Sequence, residues 1–79
     1  MAWEKYIQSD PEVLLGKPVI RGTRLSVEFI IQRLANGWTT EQLLENYPQL
    51  SREGLQAVFA YVGDCLRDGL LFDNNRKSA

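Results

Sequence analysis

The sequence predicts a small, mainly α-helical domain, a helix-turn-helix-like set of three helices behind a short N-terminal β element. Three observations carry this. Two stretches after position 26 repeat apolar residues at helical spacing and begin at capping residues. A shorter capped segment lies between them. Ahead of them, residues 3–8 and 18–20 have the pattern of short strands separated by turn formers.

Taken in order, Trp3-Glu4-Lys5-Tyr6-Ile7-Gln8 alternates as a first strand, and Ser9-Asp10-Pro11-Glu12 turns the chain. Val13-Leu14-Leu15 is too short to classify and ends at Gly16. Residues 18–20 can pair with the first strand. Ser26 caps a helix whose Val27, Ile30, Ile31 and Leu34 follow the i, i+3, i+4, i+7 spacing, and Asn36-Gly37 ends it. Thr39 with Gln42 three residues on is a capping-box pattern for a short helix carrying Leu43 and Leu44, stopped at Tyr47-Pro48. Ser51 caps the longest helix, about 52–68, with Leu55, Val58, Phe59, Val62 and Leu66 as its core stripe, and Gly69 closes it. Residues 1–68 read as one domain and 69–79 as a tail.

At 79 residues the core is small, because a chain of this size buries only about 60–65% of its unfolded surface. Cys65, the single cysteine, falls in an apolar helical pattern and reads as a buried thiol in a reducing compartment. A small core without disulfides favours self-association, so a homodimer is expected. No apolar run approaches membrane-spanning length and no signal-peptide pattern opens the chain, which points to a cytoplasmic protein with no membrane partner. With no histidine and one cysteine a zinc site is disfavoured, and no phosphate loop or nucleophile elbow is present. The expectation is a protein that is not an enzyme and calls for no cofactor.

Gly16-Lys17-Pro18-Val19-Ile20-Arg21-Gly22-Thr23-Arg24 is the most distinctive stretch. Lys17, Arg21 and Arg24 give it a charge of +3 with no acid, in a chain whose net charge is -1. Pro18 fixes its own φ and extends Lys17, while Gly22 admits a positive φ. A tight turn with Thr23 between two guanidinium groups can hold a phosphate or carboxylate of a partner. The alternative is that Arg21 and Arg24 pair with Asp10, Glu12 or Glu28 as ordinary surface ion pairs.

This string, together with Ser9-Asp10-Pro11-Glu12-Val13-Leu14, Val27-Glu28, Ala35-Asn36-Gly37 and Glu45-Asn46-Tyr47-Pro48-Gln49-Leu50, resembles the bacterial domain-of-unknown-function family numbered 433, from about residue 6 to about residue 66. The resemblance implies a homeodomain-like helical fold with a small N-terminal strand element. It also implies the antitoxin half of a type II toxin–antitoxin pair, of VapB type, whose partner is a PIN-domain ribonuclease and which binds its own promoter DNA as a dimer.

The residues bear unevenly on that picture. Glu53, Gln56, Ala57, Ala60, Asp64, Arg67 and Asp68 turn away from the expected core stripe of the third helix, and three acids against one arginine is the wrong sign for phosphates. Arg52 and Gln56 can still reach base edges. Residues 26–79 hold five cations and seven acids, a net of -2, so DNA contact would rest mainly on Lys17, Arg21 and Arg24. Protein partners are the alternative, as a protein-interaction module without a nucleic-acid role. Phe29 lies opposite the first helix's core stripe, as a dimer anchor or as a ring covered by the N-terminal strand, and Ala57 and Ala60 form a low surface that a second helix can approach, unless they serve helix propensity alone. Leu70, Leu71 and Phe72 are apolar anchors for a toxin, unless they pack on the chain's own first helix.

Overall fold

The computed structural model describes residues 1–69. A 3-10 turn at Trp3–Lys5 leads into strand β1 (Ile7–Gln8), and a second 3-10 turn at Leu14–Gly16 precedes strand β2 (Val19–Ile20). Three helices follow: α1 (Val27–Ala35), α2 (Thr40–Asn46) and α3 (Arg52–Arg67). The strands pair antiparallel, Ile7 opposite Ile20 and Gln8 opposite Val19, and Val19 makes a further bridge to Ser26. The expected mainly helical, tri-helical class with a small N-terminal β element is the fold observed. Among the described residues no helix is long and apolar enough to cross a membrane.

Local chemistry explains the helix starts. The Ser26 and Ser51 hydroxyls accept from the amides of Phe29 and Gly54, each at 2.9 Å. Thr39 and Gln42 form the reciprocal capping box, satisfying two otherwise orphaned donors. Gly37, with φ +95°, follows the end of α1 in the left-handed region that a glycine adopts without strain. Ile7, Ile20, Val27, Ile30, Leu43, Leu50, Leu55, Ala57 and Val58 make one core between the two-stranded ribbon and the helices.

Two elements differ from the pattern. The first strand is only two residues long, because Trp3–Lys5 winds into its 3-10 turn and lays Trp3 on α3. A longer two-stranded ribbon would have gained a few solvent-exposed ladder bonds. Burying an indole against α3 gains more. The second difference is the rotation of α3. Its buried residues are Gly54, Leu55, Ala57, Val58 and Cys65, while Phe59 keeps 48% of its surface and Leu66 44%. The expected stripe has moved by one residue, about 100° around the axis. Small side chains make this possible: a Cβ on Gly54 would stand 3.2 Å from Ser51 Oγ and 3.8 Å from Ile20 Cδ1. Ala57 is therefore not the dimer surface the sequence suggested. It is 0% exposed, part of the core cluster, and Ala60 is half-buried.

The second 3-10 turn is strained. Leu14 and Leu15 hold φ of 50° and 58°, the left-handed region where a side chain's Cβ crowds the following carbonyl. Leu15 is 94% exposed, so its side chain returns almost nothing in packing. Leu15→Gly is expected to raise the unfolding free energy by roughly 0.5–1 kcal/mol in urea denaturation, relief of strain exceeding glycine's extra chain entropy; an unchanged or lowered midpoint contradicts this. Ala57→Leu should lower it by about 1–3 kcal/mol through overpacking, whereas an outward-facing Ala57 would leave it unchanged.

Candidate interaction face

The basic stretch is occupied by architecture. Arg21 donates from Nε and Nη2 to the Glu4 carbonyl at 3.2 and 3.1 Å and from Nη1 to Gln8 Oε1 at 2.9 Å. Its amide also donates to the Tyr6 carbonyl at 2.8 Å. Its guanidinium fork thus ties the Trp3–Lys5 turn to the ribbon. Thr23 Oγ1 donates to the Ile20 carbonyl at 2.8 Å and accepts from the Leu25 amide at 2.9 Å, stapling the turn. Lys17 pairs with Glu28 of α1 at 2.8 Å, both side chains more than half exposed. Of the three cations only Arg24 makes no hydrogen bond or ion pair among the described residues. The geometry does not gather them into an anion cradle. Neither arginine takes the expected acids: Arg21 binds a backbone carbonyl and an amide oxygen, Arg24 binds nothing among the described residues, and Glu28 goes to Lys17 instead.

Arg52 and Gln56 stay exposed at the start of α3, beside a shallow hollow of about 420 Å³ that Thr40, Glu53, Leu55 and Phe59 also line. Phe29 is not the open anchor the sequence suggested. It is half-buried, edge-on to Tyr47 at 5.4 Å, with the Arg33 guanidinium over its ring.

The Trp3–Lys5 turn covers one flank of α3. Trp3 sits edge-on to Tyr61 at 4.8 Å and its Nε1–H donates to Asp64 Oδ2 at 2.6 Å, with Arg67 on the other carboxylate oxygen. These two donors, Trp3 first, hold Asp64 below the usual carboxylate range. Burial, with the Cys65 thiol beside it, pushes the Tyr61 phenol up.

With that flank closed, the opposite side of α3 presents Phe59, Val62, Gly63 and Leu66 at helical spacing. Phe59 and Leu66 are exposed, and a Cβ on Gly63 would meet nothing within 4 Å. Val62 also lines an apolar groove of about 260 Å³ between α1 and α3, whose walls include Pro18, Val27, Ile31, Tyr61 and Cys65. The Lys17–Glu28 pair stands on its rim. Ridge and groove form a continuous apolar face with one ion pair at its edge. The sequence reading assigned Phe59 and Leu66 to the core, and it had no signal for the rotation that exposes them. The expected toxin anchors Leu70, Leu71 and Phe72 lie outside the described residues.

Residues 7–62 match the profile of DUF433, described as a protein of unknown function. The chain belongs to the DUF433 family. An uncharacterized protein of Sinorhizobium fredii, y4eO, is 35% identical over 61 residues, 77% of this chain and 28% of that protein. A crystal structure of a DUF433 member from Anabaena variabilis superimposes with a TM-score of 0.73 at 34% identity, over 78% of this chain and 61% of that one. The chain thus spans under a third of the length of the first relative and about three fifths of the second. The DUF433 match takes in the ribbon, the basic stretch and most of α3, and it leaves out Trp3, Asp64 and Leu66.

The Trp3 contact makes a pH prediction. A carboxylate whose folded pKa is depressed contributes stability that is complete above its unfolded value near 4, and this is lost as pH falls through the lower folded value. Trp3→Phe keeps the ring and removes the principal donor. In a carbon-13 titration Asp64 should then move up toward the ordinary carboxylate pKa; an unmoved midpoint would mean that Trp3 does not hold it.

Proposed function

We propose that this DUF433 chain is a protein-interaction module, and in its specific form the antitoxin of a type II toxin–antitoxin pair that neutralises a PIN-domain ribonuclease. The observation that carries the reading is the apolar ridge Phe59–Val62–Leu66 beside the α1/α3 groove, with Phe59 and Leu66 exposed among the described residues. Half-exposed aromatic and aliphatic side chains at helical spacing, next to an apolar trough, suit a partner helix or strand that buries its own apolar side chains there. The antitoxin form rests on the family resemblance, the face on the geometry. Leu70, Leu71 and Phe72 remain candidate contributors to the same contact.

Promoter binding is the second reading, favoured by one observation: Arg52, Gln56 and Thr40 line a single hollow at the start of α3, where a helix-turn-helix protein meets bases. Glu53 stands among them, and Lys17, Arg21 and Thr23 are engaged within the chain. The protein-partner reading draws on more of the surface.

The reading places a PIN-domain ribonuclease gene beside this one, and co-expression of the two tests it. The wild type should restore growth, and Phe59→Glu with Leu66→Glu should weaken the complex by roughly 100-fold or more and abolish protection. Both side chains are about half exposed, so the double variant should keep the wild-type circular dichroism spectrum. A folded double variant that protects as well as the wild type removes the ridge from the interface. A wild type that never protects removes the antitoxin role.

A further inference from the structure

α1, α2 and the connection between them build a second, chemically different feature. Phe29 and Arg33 are one turn apart on α1, Trp38 follows in the connection to α2, and Tyr47 comes just after α2. Trp38 and Tyr47 are stacked, 6.2 Å apart at 28°, and Tyr47 meets Phe29 edge-on. The Arg33 guanidinium is held by rings, its Cζ 4.6 Å from the Phe29 centroid and 5.1 Å from that of Trp38.

An arginine placed in this way is missing something. Its Nε is enclosed and meets no acceptor, and its terminal nitrogens are neither enclosed nor hydrogen-bonded among the described residues. Among the described residues Arg21 finds acceptors on Glu4 and Gln8 and Arg67 on Asp64, while Arg24 and Arg52 stay exposed; Arg33 differs from all four in being held between two rings with its Nε enclosed. Arg33 is fixed by packing, with its outward edge unspent. Aromatic contacts on the guanidinium restrict its rotation and leave the in-plane N–H groups as a fixed fork. A fork of that kind fits one planar oxyanion bidentately.

We propose that Arg33, with Phe29 and Trp38, is a receptor for a single carboxylate carried by an acidic protein segment. The local charge selects carboxylate over nucleic acid. Arg33 is the single cation within residues 25–50, against Glu28, Glu41 and Glu45. Glu28 is already paired with Lys17, and one fork suffices for one carboxylate but supplies too little positive charge for a polyphosphate backbone, which needs several cations. The receptor is independent of the α3 ridge and stands or falls without it.

The test uses the full chain labelled with nitrogen-15, reading the Arg33 Nε–Hε resonance during titration at constant ionic strength with a tetraglutamate peptide and, separately, with a short DNA duplex. Tetraglutamate should shift it saturably, with millimolar affinity, and the duplex should not. Quenching of Trp38 emission in a Trp3→Phe background should follow the same curve, and Arg33→Lys, which keeps the charge but loses the fork, should weaken it at least about fivefold. If the duplex moves the resonance and the peptide does not, the phosphate alternative replaces this one. If neither moves it, Arg33 is a brace between helices and the proposal fails. Should Arg33→Lys unfold, the wild-type resonance still decides.

Discussion

The fold turns on the seating of the Trp3–Lys5 turn against α3. An aromatic edge on Tyr61 and an indole donor on Asp64, 61 residues away in sequence, decide which side of the longest helix faces inward. Edge-on aromatic pairs add about 0.5–1.5 kcal/mol beyond burial, a sizeable share in a domain whose own core is small. Once that flank is closed, Gly54 lies against Ile20 of the ribbon, Ala57 is buried in the core, and Phe59 and Leu66 are exposed. The exposed ridge is thus a consequence of where the N-terminal turn sits.

The basic stretch belongs to the same arrangement. Arg21 holds the turn through the Glu4 carbonyl and Gln8, Thr23 staples the corner, and the Pro18 carbonyl accepts the Val27 amide at 2.9 Å, setting the entry to α1. A guanidinium fork suits a backbone carbonyl beside an amide oxygen as well as it suits a phosphate. Residue types could not separate the two uses, because the acceptors that engage Arg21 come from a segment whose path depends on Trp3. The charge that makes the string conspicuous serves to close the N-terminal ribbon onto the helices.

What was legible in the sequence was local. Ser26, Thr39 with Gln42, and Ser51 are sequence signatures of helix starts, and each makes the hydrogen bond its type predicts. The pairing of residues 18–20 with the first strand was also readable, from turn chemistry and alternation. The face of α3 was not. Leu55 and Val58 of the expected stripe are buried, but the inner face continues through Gly54, Ala57 and Cys65, while Phe59 and Leu66, which hydropathy favours, are exposed. Small residues win the inside because the sheet comes close, a tertiary fact with no trace in periodicity. Phe29 does point away from the α1 stripe, but Arg33, one turn on along α1, lies over its ring and Tyr47, from beyond α2, meets it edge-on.

The strained turn at Leu14 and Leu15 fits this economy. Three successive residues with positive φ, Leu14, Leu15 and Gly16, reverse the chain sharply before Lys17 returns to an extended conformation with φ -65° and ψ 145°. The sharp reversal brings Pro18 to the wall of the α1/α3 groove and Lys17 to Glu28 on its rim. A relaxed turn would be longer or flatter and would move that wall. The strain therefore sits beside the apolar face without belonging to it, and stability and recognition separate here: Leu15→Gly acts on the turn's conformation, while the groove it positions depends on the backbone path of Lys17 and Pro18, which glycine leaves available. A variant that gains stability and keeps partner binding would show that the turn's shape, and not the exposed leucine, is what the face requires.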